Sequence, residues 1–250
     1  MAASNVDLVL VVDSSQSMKN CFDQLRQHLG SLVAPMQGTV SKVRYGLVAL
    51  SASKNGASQI YHVNFLRGPW DYKLYTRGPN DSDPRNEYFT EDPDEVKQAL
   101  DGLEPSGDED MLLALDIAAD LPFGPLSNTK RVIALFSDEP FEQGVLGTAN
   151  HHFIPELRKK LMARHIQLFA AIPEGPAANQ LGETDRSEID FIDGGGGLKN
   201  VNFSRLLGQM GKSISGSSLQ AVSEPPYQRA IFGQDKWVPG EGWTDTDGGS

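Results

Sequence analysis

The sequence is short of several things, and each shortage excludes something. It has one cysteine, Cys21, so no disulfide can close within the chain. A chain of 250 residues does not need one, because a domain of this size buries roughly 70–75% of its unfolded surface. Cys21 falls on a helical pattern and is expected to act as a small buried apolar residue. No apolar run approaches the about 18 residues that a membrane-spanning helix requires, so no membrane partner is expected. Basic residues are outnumbered, 22 against 33 acidic, for a formal net charge of -11. Phosphate backbones demand a cationic face, so nucleic acid is not expected as a partner either. The opening residues Met1–Asp7 lack the basic and apolar stretches of a secretory leader. Together with the lone cysteine, that gives the expectation of a cytoplasmic, reducing setting. There is no Gly-x-Ser-x-Gly elbow, and one cysteine supports no Cys/His constellation.

What is present is a strand-helix alternation. Val6–Val12 is a nearly continuous apolar run ending at a polar turn, as expected of a strand buried on both faces of a parallel sheet. Phe22, Leu25, Leu29, Leu32 and Val33 follow at helical spacing. Residues 42–50 and 59–65 read as strands joined by a hairpin through Asn55-Gly56, which makes the second of them antiparallel and places it at the sheet edge. Residues 67–90 mix prolines, glycines, charges and the aromatics Trp70, Tyr72, Tyr75 and Tyr88 without a period, and read as a long inserted loop. Helices are expected over 94–103, over 110–121, and around Phe153, Leu157 and Leu161. Strands are expected over 131–136, 166–172 and 189–192, and a last helix carries Phe203, Leu206, Leu207, Met210 and Ile214. The fold class is therefore α/β: a doubly wound, mostly parallel, Rossmann-like sheet with one antiparallel edge strand. The domain is expected to span 1–216. The remainder, 217–250, with Pro225-Pro226 and a glycine-rich end, reads as a loosely packed or disordered extension.

Ligands of such sheets gather at the carboxyl ends of the strands. The first strand is followed by Asp13-Ser14-Ser15-Gln16-Ser17, and the strand 131–136 by Ser137-Asp138-Glu139. Alternating oxygen-bearing side chains from one turn, joined by a carboxylate from another, form a hard donor set suited to Mg²⁺, Mn²⁺ or Ca²⁺. Helix capping accounts for one such hydroxyl but not for the whole set. The adjacent His151-His152 diverge on a helix and make a poor metal pair.

On these residues, Val9–Met18 above all, the chain resembles the von Willebrand factor A-type domains, whose metal-ion-dependent adhesion site carries Asp-x-Ser-x-Ser after the first strand. The resemblance extends over roughly 6–215, and the compact form is similar to stand-alone bacterial intracellular members. It implies that Ser15 and Ser17 bind the ion directly, and that Asp13 and Asp138 bind it directly or through water. The family draws a further ligand, usually threonine, from the loop before the third helix. Here that loop reads Ser106-Gly107-Asp108-Glu109-Asp110, so the expected ligand is Asp108, with Glu109 as the alternative. An extra carboxylate holds the ion more tightly and weakens its pull on a partner's acidic group.

The implied function is a metal-dependent adaptor, with Mg²⁺ the favoured ion, docking onto another protein through an acidic side chain at the metal. The aromatics of 67–90 offer a second partner surface or pack on one another. The rivals are a metal-assisted phosphatase or hydrolase, and a structural domain with a degenerate site. Haloacid-dehalogenase-like phosphatases need an aspartate two positions after the nucleophile, and this chain has Ser15 there.

Overall fold

Alternation of side chains along the inner strands decides the architecture. A computed structural model describes residues 4–52, 58–63, 72–74, 88–103, 111–141, 154–193, 197–218, 236–238 and 242–244. Within them the strands are β1 (Ser4–Asp13), β2 (Val40–Ala52), β3 (Ser58–Val63), β4 (Tyr72–Leu74), β5 (Thr129–Phe136), β6 (Ile166–Pro173) and β7 (Ser187–Ile192). They form one sheet in the order β4-β3-β2-β1-β5-β6-β7. The helices are α1 (Lys19–Val33), α2 (Pro93–Asp101), α3 (Met111–Asp120), α4 (Ile154–Ala163), α5 (Pro176–Gly182) and α6 (Phe203–Ser218).

Even-numbered residues of β1 and β5, including Leu8, Leu10, Val132 and Phe136, face a core closed by α1, α2 and α6 through Phe22, Leu25, Leu100 and Phe203. Odd-numbered ones, including Val9, Val11, Ile133 and Leu135, face a second core closed by α3, α4 and α5 through Leu115, Leu161 and Leu181. A strand clothed on both sides has no polar face to show, which is why these runs read as continuous apolar sequence.

The five strands β2, β1, β5, β6 and β7 pair in parallel. β3 pairs antiparallel with β2, and β4 antiparallel with β3. This corrects the expected edge position of the third strand, since β4 lies outside it. Within 67–90, read from the sequence as a long inserted loop, lies the short strand β4. At the end of that stretch, Thr90 bridges Tyr45, with N···O distances of 2.7 and 2.9 Å, and Phe89 is buried. The aperiodic composition concealed a strand of only three residues. Tyr88, one of the four aromatics read as either a partner surface or loop packing, is half-buried and packs on the second core. Gly46 makes room for this return: a Cβ there would lie 3.1 Å from the Tyr88 carbonyl oxygen. Helix α5 was not expected from the apolar pattern; Pro176 at its first position starts it, and its small Ala177 and Ala178 pack against the core. In 217–250, Lys236–Val238 and Gly242–Thr244 pair antiparallel with each other.

The amino end of the sheet is closed by Asp7, fully buried. Its carboxylate accepts from Arg44 Nε at 2.7 Å and Nη2 at 2.6 Å, and from the Gly124 amide at 2.6 Å. The Arg44 guanidinium lies 4.8 Å from the centre of the Phe89 ring. This bidentate pair anchors the α3–β5 connection. The carboxyl end of the sheet is left to the residues that leave β1 and β5.

Candidate metal centre

β1 ends at Asp13, and a 3-10 turn, Gln16–Met18, leads into α1. Ser15 takes the N-cap position of that turn in extended backbone geometry, with φ -64° and ψ 162°, but its side chain makes no capping bond. The hydroxyl instead lies 2.9 Å from Ser17 Oγ. Ser17 Oγ donates to Asp138 Oδ1 at 2.9 Å. A serine hydroxyl carries one proton, and that of Ser17 is committed to the carboxylate, so Ser15 donates to Ser17. Capping therefore does not explain these serines.

Asp13 stands behind this chain. Its Oδ1 accepts the Ser15 amide at 2.6 Å and its Oδ2 the Ser137 hydroxyl at 2.9 Å. Ser137 in turn accepts the Glu139 amide at 3.1 Å. Ser137 was the residue missed from the sequence. A serine that leaves a strand is too common to be a signal by itself, and its role here comes from the Asp13 carboxylate beside it. Asp13, Ser15, Ser17 and Asp138 thus come together, drawn from the ends of two neighbouring strands. Asp108 and Glu109 lie outside the described residues, as do His151 and His152.

The electrostatics are unusual. Asp13 and Asp138 are both buried, at 0% and 1% exposure, and among the described residues neither has a lysine, arginine or histidine in ion-pair contact. Burial raises the Asp13 carboxyl to about 6, against the hydrogen bonds from Ser15 and Ser137, and the nearby Asp138 charge pushes the same way. Beneath the turn, the Cys21 thiol is pushed well above its ordinary value by burial and by the two aspartates. It is buried, as its helical position implied. Ser17 is exposed, so the cluster opens to solvent on that side.

Among the described residues no three carboxylates, imidazoles or thiolates gather. The donor set is two carboxylates and two hydroxyls, all hard oxygen. That chemistry fits Mg²⁺, Mn²⁺ or Ca²⁺ and is wrong for a thiolate- or imidazole-seeking metal.

No family model matches the sequence, and no curated protein matches it. Among solved structures, the crystal structure of the SpRpn10 VWA domain superposes with a TM-score of 0.54, covering 84% of this chain and 98% of that one at 14% identity. Among the described residues, no helix is long and apolar enough to cross a membrane. The sheet order, the two helical layers and this likeness give the chain the fold of a von Willebrand factor A domain.

Proposed function

We propose that the chain is a metal-dependent protein-binding module of the adaptor kind, holding a divalent cation, Mg²⁺ in preference to Mn²⁺ or Ca²⁺, at the carboxyl end of β1 and β5. The observation that carries this reading is the pair Asp13 and Asp138: two buried acids near one another, with no cationic side chain beside them among the described residues. Buried carboxylates are ordinarily paired or bound to a metal, because an isolated buried charge is too costly. Ser15 and Ser17 are the direct ligands in this reading, with Asp138 behind Ser17. Asp13 binds the ion directly or through water, and the bond that each of its oxygens accepts fixes Ser15 and Ser137 and leaves lone pairs over. Asp108, or Glu109 in its place, is the further ligand. The bound cation supplies a coordination position that an acidic side chain of a partner protein can fill.

The same geometry argues against the phosphatase alternative. A nucleophilic aspartate needs a free oxygen facing substrate, whereas Asp13 is fully buried with both oxygens hydrogen-bonded. The Asp120, Lys160 and Arg164 cluster between α3 and α4 makes no rival site. Lys160 Nζ is tied to Asp116 Oδ1 at 2.8 Å and Asp120 Oδ2 at 2.6 Å, an ion-pair network that joins two helices.

Calorimetric titration with each of the three cations tests the reading, with Asp13→Ala and Asp138→Ala alongside. Saturable heat from the wild-type chain, lost in both variants, is the expected result. A wild-type chain silent toward all three cations assigns the cluster to structure instead. Affinity capture of partners with and without EDTA then tests the adaptor role: a partner released by EDTA supports it, and a capture in which EDTA releases no partner counts against it.

A further inference from the structure

β7 ends the sheet, and no described strand lies beyond it. The ladder determines which of its main-chain groups face outward. The Leu168 amide donates to the Arg186 carbonyl at 3.1 Å, and Leu168, Ala170 and Ile172 stand opposite Ser187, Ile189 and Phe191. In a parallel ladder this register turns the amides and carbonyls of Glu188 and Asp190 into the sheet and those of Ile189 and Phe191 outward. The Ser187 amide is taken by the Thr184 carbonyl at 3.1 Å. A strand edge of this kind is a template for one more strand.

The side chains along the edge alternate in kind. Glu188 and Asp190 stand opposite Phe169 and Ala171, whose side chains enter the core beneath α6, so both acids rise on the α6 face. Glu188 is bonded there to Ser213 and, at 3.4 Å, to Gln167. Asp190 is exposed, as is Asp193 just past the strand. Ile189 and Phe191 rise on the α5 face. Ile189 is half-buried against that core, while Phe191 is 49% exposed, one of two large apolar side chains so exposed among the described residues. The edge therefore offers acids on one face, an apolar ring on the other, and main-chain donors and acceptors between them.

We propose that the β7 edge binds an extended segment of another protein by strand addition, the segment carrying lysine or arginine at alternate positions and apolar residues between them. Alternation of period two is what a strand presents to its neighbour: the basic side chains meet Glu188 and Asp190, and the apolar ones cover Ile189 and Phe191. The net charge of -11 draws such a segment in. A second copy of this chain suits the edge poorly. Pairing β7 with itself sets Glu188 and Asp190 opposite one another, and like charges directly opposed on one face are destabilising. This surface does not depend on the metal reading, and EDTA separates the two.

The test uses a capped six-residue peptide alternating lysine and valine, titrated into the full chain and followed by amide chemical shifts and hydrogen exchange. The expected result is saturable binding, unaffected by EDTA, with slowed exchange at Ile189 and Phe191. Asp190→Lys weakens it roughly threefold or more, and Phe191→Ala by a similar factor. Replacing the peptide's lysines by glutamate abolishes binding. Asp190 is exposed, so Asp190→Lys keeps the melting temperature and remains informative even if Phe191→Ala lowers it. No binding, binding insensitive to Asp190→Lys, or protection away from β7 overturns the proposal. So does a concentration-dependent dimer that the lysine-valine peptide dissolves, which assigns the edge to a second copy.

Discussion

The Ser17 hydroxyl donates to Asp138 Oδ1 at 2.9 Å across 121 positions of sequence, tying the turn after β1 to the end of β5. Ser17 is exposed, so this bond contributes little to folding, on the order of 1 kcal/mol or less. In the proposed centre it matters far more, because it presents the hydroxyl oxygen beside the carboxylate. Ser17→Ala is expected to leave the melting temperature within a degree or two. The same change is expected to weaken Mg²⁺ binding about tenfold or more in calorimetry. Equal Mg²⁺ affinity in variant and wild type removes Ser17 from the ligand set.

Asp13→Asn separates stability from binding. An asparagine at 13 can still accept the Ser15 amide through Oδ1 and can donate from Nδ2 to the Ser137 oxygen, so the hydrogen-bond frame survives. What disappears is a buried charge beside Asp138. The metal-free variant is expected to be more stable than wild type at pH 7, by about 1–3 kcal/mol in urea unfolding. Mg²⁺ is expected to raise the melting temperature of the wild type and not of the variant. A variant that unfolds more easily than the metal-free wild type shows that the ionised carboxylate holds the rim together, against this account.

Much of this is legible in the amino-acid sequence. The doubly wound sheet followed from apolar runs bounded by polar turns, because double burial leaves no other composition for β1, β5 and β6. Asp13, Ser15, Ser17 and Asp138 were legible because strand ends are where such sheets gather polar side chains, and the structure brings these four together. Three things were not. β4 is too short to show a period, and α5 presents small residues, Ala177 and Ala178, whose burial needs no conspicuous apolar stripe. Ser137 carries no signal by itself. A serine following a strand is common, and only the position of the Asp13 carboxylate gives it a role.

Close packing of α1 on α6 yields a further expectation. A Cβ on Gly211 would clash with the Leu32 carbonyl oxygen and lie 3.2 Å from Pro35 Cγ. A backbone carbonyl in a helix cannot swing aside as a flexible side chain does, so Gly211→Ala must push α6 off α1. A loss of about 1–3 kcal/mol is expected. Gly208→Ala, whose Cβ would be 3.9 Å from the Ser31 carbonyl oxygen, is expected to be neutral or slightly stabilising because alanine is the better helix former. Denaturant midpoints of the two variants check this, and equal midpoints refute it.

Lys130 gives the pH dependence its clearest sign. It sits in β5 at 6% exposure, with its ammonium 3.4 Å from the Ile214 carbonyl oxygen. Burial lowers it to about 7, Arg186 adds to the effect, and Glu188 opposes it. In the unfolded chain the same group keeps its proton up to its ordinary value near 10.5. Between about 7 and 10.5 the unfolded state therefore binds more protons, and linkage makes this contribution to stability rise with pH across that window. Below it both states are charged and the cost of the buried ammonium is present in full. Lys130→Met, similar in volume and without charge, is expected to stabilise the fold by about 1–3 kcal/mol at pH 6 and by much less at pH 10. Urea unfolding of both proteins at the two pH values checks the difference. A gain from Lys130→Met that is equal at pH 6 and pH 10 means that Lys130 keeps its proton throughout. The ammonium would then be compensated in the folded chain, and the cost assigned to its burial would be wrong.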